Sequence, residues 1–296
     1  MNAFLTQVRR EYWEHRALWI VPVVVAALML LTAAAFGRIQ FELGNPGIHY
    51  SGPTPASLTE LSVLGWALPF YLAAAIQGTG YLIDCLYSER RDRSILFWRS
   101  MPVSDASTVL AKLLTGLVLV PLGAFVIAAA VSFAGSAILL LRNHEVVLNG
   151  QHVMALWNMP SWLRMQGIVF YGLVAALLWY APFAAYLMLA SVWARRSPYI
   201  WAVAPPLLLL ILEHMIFGTN YAGRILGGGF HELLHLAYRL DEHGAFDAGG
   251  GRDISFTMHL LSPERLLASL RLWLGLLAAA AMIALTIRVR RYRDET

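Results

Sequence analysis

Long apolar stretches run through this chain and decide what it can fold into. As helices they are long enough to cross the roughly 30 Å hydrocarbon core of a bilayer. Spanning segments must be helical because lipid offers the backbone no hydrogen-bond partners, and the alternating ten-residue pattern of a membrane barrel is not found. The predicted fold class is an all-α integral membrane protein with six transmembrane helices in one domain, residues 1–296. The predicted spans are approximately 17–36, 61–86, 109–141, 168–193, 200–217 and 267–287.

Composition supports the same class. The chain is 58% hydrophobic and only 14% charged, which is typical of a membrane protein and not of a soluble domain. Its single cysteine, Cys85, excludes a disulfide within the chain and a thiolate metal cluster. We expect Cys85 to be a small buried hydrophobic residue at the end of the second span.

The distribution of basic residues predicts the orientation. Short cytoplasmic segments retain Arg and Lys, so the side that carries most of them is inside. Both termini are therefore predicted to be cytoplasmic, and the net charge of +4 is mainly a topology signal. Because no basic stripe with interleaved aromatic residues is present, we expect no nucleic-acid partner. Fourteen of the twenty-two basic residues fall on the predicted inner side: Arg9, Arg10, Arg16, Arg90, Arg91, Arg93, Arg99, Lys112, Arg195, Arg196, Arg288, Arg290, Arg291 and Arg293.

The segment before the first span has helical periodicity. Phe4, Leu5, Val8 and Tyr12 recur at helical spacing, while the charged residues lie on other faces. This pattern predicts an interfacial helix on the inner membrane surface. The alternative is a plain extension of the first span into the cytosol.

The longest segment on the outer side, residues 218–266, has its own organisation. Glycine triplets at 227–229 and 249–251 bracket a stretch with helical periodicity, so we expect one or two short helices re-entering the outer leaflet. The predicted apolar face of this re-entrant segment consists of Phe230, Leu233, Leu234, Ala237 and Leu240. The opposite, wetted face consists of His231, His235, Tyr238 and Glu242.

Residues 231–235 also match the H-E-x-x-H pattern of zinc enzymes. In that pattern two His one helical turn apart bind zinc, and Glu232 would activate water. Glu242 lies on the same stripe and could be a third ligand to His231 and His235. An integral membrane zinc metalloprotease is therefore one alternative. The short, glycine-flanked segment nevertheless favours an amphipathic helix whose polar face contacts water.

Two further features bear on chemistry. Glu213 and His214 are ionisable residues near the outer end of the fifth predicted span, where a substrate or proton site competes with a local pair or snorkelling. No phosphate-binding P-loop can be drawn, because the only lysine, Lys112, lies in an apolar context. We therefore expect the chain not to hydrolyse ATP by itself and not to be an enzyme.

Between the second and third predicted spans, a charge cluster turns abruptly into an apolar run. Ile95, Leu96, Phe97 and Trp98 follow the basic residues in the loop at 88–107. Burying these four side chains would yield about 1.5–3 kcal/mol each, which favours a short helix that docks on a cytoplasmic partner. The alternative is that they return to the membrane interface, where Trp and Phe are favoured.

The same residues carry a family resemblance. Glu89-Arg90-Arg91, then Ser94-Ile95, then Arg99-Ser100-Met101-Pro102-Val103-Ser104 and finally Lys112 resemble the first cytoplasmic loop of ABC-2-type ABC transporter permeases. The resemblance extends to the six-span layout, the amino-terminal interfacial helix and the basic tail. One departure is Arg93-Ser94, where many members carry Gly-Thr.

This resemblance implies a function and partners. It implies the permease subunit of a bacterial ABC exporter in the cytoplasmic (inner) membrane, paired with a second permease copy or a homologous permease. ATP and Mg would be bound by a separate ATP-binding subunit, and the chain itself would need no cofactor. An ATP-independent channel or scaffold is the remaining alternative. The implied coupling residues are Glu89, Arg90, Arg91, Ser94, Ile95, Leu96, Phe97, Trp98, Arg99 and Pro102.

Overall fold

A computed structural model of the chain describes residues 3–36, 40–41, 55–92, 104–141, 145–148, 151–154, 157–219, 223, 229–239 and 260–292. Most of these residues are helical, as the sequence predicts. The helices are α1 Ala3–Glu14, α2 Ala17–Phe36, α3 Pro55–Arg91, α4 Asp105–Leu114, α5 Val120–Leu141, α6 Met159–Trp193, α7 Pro198–Phe217, α8 Gly229–Ala237, α9 Pro263–Ala268 and α10 Leu270–Tyr292.

Among the described residues, five helical segments are long and apolar enough to cross a membrane, which makes the chain a multi-pass membrane protein by length and composition. They are Ala17–Ala35, Asp105–Ile138, Met159–Trp193, Pro198–Phe217 and Leu270–Tyr292. The third predicted span, 109–141, overlaps the second of these and runs three residues past its end, and the remaining matches differ mainly at their ends.

The second predicted span, 61–86, lies within α3, which is not among these five segments. This 37-residue helix carries Gln77 and Thr79 in its middle. It packs along both α5 and α6, and Phe70 and Leu82 on it are fully buried. Because its neighbours shield it, α3 can carry polar residues that a lipid-exposed helix would not tolerate.

The third predicted span is a continuous helix interrupted by one π-helical turn. α4 begins after Ser104, whose side chain accepts a hydrogen bond from the backbone N–H of Ser107 at 3.2 Å. A π-helical turn, Thr115–Leu119, joins α4 to α5. Pro121 has no N–H to donate to the fourth carbonyl before it, and the N–H of Val120 bonds to Thr115, five residues back.

The last predicted span is shorter than expected at its start. The sequence predicts a continuous helix from 267, whereas α9 ends at Ala268 and α10 begins at Leu270. Ser269 between them is extended, and its hydroxyl accepts from the N–H of Leu272 at 3.3 Å. A serine that caps the next helix in this way favours a helix start over a helix interior.

A small sheet, which the sequence-based expectations do not include, lies at the end of the bundle opposite α1. Its strands are β1 Gln40–Phe41, β2 Glu145–Leu148 and β3 Gln151–Met154, in the order β1-β2-β3. β2 and β3 are antiparallel, with Leu148 opposite Gln151. The residues between them are Asn149 and Gly150, the pair that most favours a tight hairpin. We call this end of the bundle the sheet end.

Two short helices are described near the predicted re-entrant segment: α8 begins at the end of the first glycine triplet, and α9 lies beyond the second triplet. Leu233 and Ala237 are buried, but Phe230 on the predicted apolar face is 71% exposed. Helical periodicity predicted that Tyr238 faces water, and this is wrong. Its hydroxyl donates to the carbonyl of Ile168 at 3.3 Å, and its ring packs against Tyr171. The reason is that α8 ends at Ala237, where Tyr238 forms a bridge to Leu261 and leaves the helical stripe.

Small residues allow aromatic side chains to approach neighbouring helices closely. A Cβ atom added at Gly135 would lie 2.6 Å from the ring of Trp66, and one at Gly123 would lie 2.6 Å from the ring of Trp19. Such pairs replace the hydrophobic driving force that is missing between helices in lipid. They fix the depth at which α5 meets α2 and α3.

The Gly135 contact gives a prediction of stability. Gly135→Ala forces the Trp66 ring to shift, so we expect the free energy of unfolding to fall by about 1–3 kcal/mol. Gly80→Ala is the matched control, because it is also helical and nothing lies within 4 Å of its added Cβ. There the higher helix propensity of alanine should stabilise the protein by up to about 1 kcal/mol. Denaturant unfolding in detergent measures both, and equal effects of the two changes would contradict the packing described here.

Candidate functional site

Six ionised side chains from four helices meet at the end of the bundle opposite the sheet. We call them the charge cluster: Arg10 and Glu11 from α1, Glu89 from α3, Asp105 and Lys112 from α4, and Arg290 from α10. The end of the bundle that contains them is the cluster end. These helices are far apart in sequence, so only the tertiary fold brings their charges together.

Lys112 lies at the centre of the charge cluster. Its side chain is 1% exposed, and its Nζ donates to Glu11 Oε1 at 2.9 Å and lies 3.2 Å from Glu89 Oε1. A buried ammonium is strongly destabilising unless paired, and here two carboxylates share it. Lys112 therefore ties α4 to both α1 and α3.

Glu89 is the second centre of the charge cluster. Arg10 Nη2 donates to Glu89 Oε1 at 3.0 Å, and Arg290 Nη1 donates to Glu89 Oε2 at 2.8 Å. Arg290 also reaches Asp105 Oδ1 through Nε at 3.2 Å. One carboxylate at the end of α3 thus contacts cations from α1, α4 and α10.

The six side chains of the charge cluster are three acids and three bases, and the more exposed Glu14 adds a fourth acid through its contact with Arg10. Glu89 lies beyond the apolar stretch at 61–86; its burial would raise its pKa, but Lys112 and Arg290 outweigh this and lower the pKa to about 2. For Arg10, burial opposes the charge, but Glu14, Glu11 and Glu89 raise its pKa. Because every acid and base in the charge cluster has an oppositely charged partner, its contacts link the helices that carry them.

Neutral polar groups extend the charge cluster along α1. Tyr81 Oη donates to Glu11 Oε2 at 2.7 Å, and the ring of His15 meets Tyr81 edge to face. Burial lowers the pKa of His15 despite the nearby Glu11. Further along, Gln7 Nε2 donates to Thr108 Oγ1 at 3.0 Å, which joins α1 to the first turns of α4.

The end of α3 has a second attachment, to α6. Arg90 Nη2 donates to the carbonyls of Ser191 at 2.7 Å and Ala194 at 2.9 Å, which caps the last turn of α6. The hydroxyl of Ser191 accepts from the backbone N–H groups of Leu86 and Tyr87, both at 3.1 Å. Adjacent residues Glu89 and Arg90 therefore bind different helices.

These attachments flank residues 93–103, which lie outside the described part of the chain. Predicted coupling residues Ser94, Ile95, Leu96, Phe97, Trp98, Arg99 and Pro102 fall there. Of the others, Glu89 and Arg90 face the interior, whereas Arg91 is exposed and pairs with Asp92. α3 ends at Arg91, two residues after Glu89, and α4 begins at Asp105, directly after Ser104. Both flanks are thus fixed in the charge cluster.

Of the charge cluster, only Glu89 was predicted as a site residue, although part of the signal for the others is local. Lys112 is the only lysine and lies in an apolar stretch, which is itself a functional signal in a membrane protein. Helical periodicity instead places Glu11 on a charged side of an amphipathic helix, yet it is only 1% exposed. Arg290 is 201 residues away from Glu89, beyond the reach of any local pattern.

The residues of the zinc pattern do not assemble into a ligand group within the described ranges. His231 and His235 lie close, with ring centroids 4.3 Å apart. Glu232, which would activate water, is instead ion-paired with Arg271. Glu242 and Leu240 lie outside the described residues.

Among the described residues, Glu11, Glu14 and His15 are the one group whose side chains lie close enough together to hold a metal ion. Glu11 already binds Lys112, and Glu14 accepts from Arg10 Nε at 2.8 Å. A cation here would compete with both contacts, so the geometry favours ion pairing within the protein.

Glu213 and His214 are placed near the end of α7. Glu213 accepts a hydrogen bond from Thr219 Oγ1 at 2.9 Å, and His214 is exposed. The carbonyl of His214 receives the N–H of Gly218, which adopts a left-handed conformation with φ of 61°. The contact with Thr219 is a local one at the helix end.

Comparison with protein-family models, curated proteins and solved structures gives no significant match for this chain.

Removing the central cation should destabilise the protein. Lys112→Met leaves Glu11 and Glu89 buried with less compensation, so we expect the free energy of unfolding to fall by about 3–5 kcal/mol. Adding Glu11→Gln should restore part of the loss, because Glu89 keeps Arg10 and Arg290.

Arg91→Met is the control for this experiment, since Arg91 is exposed and should tolerate the change. Denaturant unfolding in detergent is measured for five proteins: the unaltered chain, the single variants Lys112→Met, Glu11→Gln and Arg91→Met, and the double variant. The interpretation fails if Lys112→Met is no worse than Arg91→Met, or if the double variant is the sum of two losses.

Proposed function

We propose that this chain is the membrane-spanning permease subunit of an ABC exporter, driven by a separate ATP-binding subunit. The observation that carries the proposal is the fixing of both flanks of residues 93–103 in one buried charge cluster. A loop that must transmit force needs rigid ends, and these ends are joined to four helices. The sequence resemblance to ABC-2-type permeases independently selects the same loop.

The proposed topology has six spans with both termini in the cytoplasm. Five are the segments given above, and α3, second in chain order, is the additional one. Glu60 near its start pairs with Arg164 at 2.6 Å at the sheet end, and Glu89 lies in the charge cluster. The 29 residues of helix between them correspond to about 43 Å, close to the thickness of a bilayer with its headgroups. Charged pairs at this spacing suit the two surfaces of a membrane.

The cluster end is then the cytoplasmic end. α1, the last turn of α10, the end of α3 and the link between α6 and α7 all lie there, and these are the segments richest in arginine. This agreement between basic residues and tertiary contacts supports the positive-inside assignment. In this proposal the small sheet and the helices α8 and α9 lie on the outer side of the membrane.

The proposed mechanism is a shift between two conformations of the bundle. ATP favours a closed pair of ATP-binding subunits, which move the docked segment 93–103. Through Glu89 and Lys112 this displacement reaches α1, α3, α4 and α10 together, and through Arg90 it reaches α6. The π-helical turn at Thr115–Leu119 is a point at which α4 can tilt relative to α5. A ligand shifts such an equilibrium only by its differential affinity for the two states.

The functional unit is proposed to contain two permeases, as two copies or as homologous chains, and two ATP-binding subunits in a bacterial inner membrane. ATP and Mg belong to those partner subunits. The pairing of Glu232 with Arg271 favours this proposal over zinc catalysis, because it occupies the required base.

The docking role of the apolar run can be tested by truncation. We expect Phe97→Ala with Trp98→Ala to lower recovery of the ATP-binding subunit with the tagged permease more than tenfold, since each lost side chain is worth about 1.5–3 kcal/mol. The measurement is co-purification from native membranes, with quantitative mass spectrometry of the P-loop protein and assay of ATP hydrolysis.

Phe217→Ala with Trp201→Ala is the matched control, because it removes the same two side-chain types from exposed positions on α7. Its recovery of the partner should equal that of the unaltered chain. A photo-crosslinker in place of Trp98 should label a P-loop protein. Labelling of lipid alone, or equal recovery with both double variants, would contradict the proposal.

A further inference from the structure

Helix α1 buries two polar side chains against the protein and exposes several large apolar ones. Gln7 and Glu11 are buried against α4, where they bond to Thr108 and Lys112. This is the reverse of a helix that packs on a hydrophobic core. The outward stripe of α1 therefore requires an explanation of its own.

The outward stripe combines large apolar residues with two arginines. Leu5, Tyr12 and Trp13 are 62%, 47% and 53% exposed, and Arg9 and Arg16 are exposed beside them. The spacing from residue 5 through 9, 12, 13 and 16 follows one face of a helix and the turn after it. The guanidinium of Arg16 lies 5.5 Å from the Trp13 ring centroid.

Neither arginine of this stripe is neutralised within the described part of the chain. Arg10, on the inward side, pairs with Glu14 and Glu89, whereas no carboxylate contacts Arg9 or Arg16 in the same residues. The stripe therefore offers two positive charges above an apolar and aromatic surface. An anion attached to a hydrophobic body complements both.

The position of α1 identifies the anion. Only the turn at His15 and Arg16 separates α1 from α2, one of the segments able to cross a membrane. The outward stripe thus lies at the membrane surface, where Tyr and Trp are favoured at headgroup depth. We propose that Arg9 and Arg16 bind the headgroups of anionic phospholipids, with Leu5, Tyr12 and Trp13 inserted at the acyl boundary.

This site would join the lipid to the charge cluster. The residues beside the stripe, Arg10 and Glu11, contact Glu89 and Lys112, so a lipid that fixes α1 also stabilises the flanks of residues 93–103. The proposal depends on α1 lying at a membrane surface and not on the identity of any partner protein. Its failure would leave the exporter proposal intact, and the reverse also holds.

The experiment measures which lipid is adjacent to α1. The full chain carrying Leu5→Cys is labelled with a fluorophore; the native Cys85 is buried and should not react. It is placed in nanodiscs of phosphatidylcholine and phosphatidylglycerol, with a spin-labelled quencher on one lipid or the other. We expect phosphatidylglycerol to quench at a lower mole fraction.

Arg9→Gln with Arg16→Gln should reduce this preference by up to about 30-fold, because a basic residue near an anionic surface contributes about 1 kcal/mol. Arg288→Gln with Arg291→Gln is the control, since it removes the same charge from exposed positions on α10. It should leave the preference unchanged. Equal quenching by both lipids in the unaltered chain, as an acidic protein partner of α1 would predict, overturns the proposal. So does an equal loss in both double variants.

Discussion

The burial of one ammonium determines how this bundle is assembled at its cluster end. Lys112 cannot lie 1% exposed in an apolar helix unless carboxylates accompany it, and Glu11 and Glu89 are those carboxylates. Each carboxylate in turn requires further donors, which Arg10, Arg290 and Tyr81 provide. One helix after another is thereby fixed in a single register at this end.

Such a network is better understood as specifying geometry than as adding stability. Buried ion pairs often contribute little compared with well-packed apolar residues, because desolvation offsets attraction. Directional contacts with four helices do, however, exclude other rotations of those helices. In the proposed exporter this matters more than stability, since force applied at residues 93–103 is useful only if the spans move together.

Much of the architecture follows from local patterns, and the residues that do not follow have identifiable physical reasons. Apolar length predicted the membrane helices, but the polar middle of α3 is tolerated only because α5 and α6 cover it. Asn149 and Gly150 would have indicated the hairpin of β2 and β3. Periodicity placed Glu11 on a solvated face because it describes a helix in isolation. The pairing of Arg290 with Glu89 depends on packing between distant helices, which no local pattern encodes.

The central claim is that the charge cluster fixes both flanks of residues 93–103 together. Amide hydrogen exchange of the full chain in nanodiscs tests it most directly, by comparing residues 86–92 and 104–112 with the buried part of α3 around Phe70. We predict slow exchange in both flanks and faster exchange in both when Lys112 is replaced by Met. Fast exchange of both flanks in the unaltered chain, or acceleration of only one flank in the variant, would contradict the account.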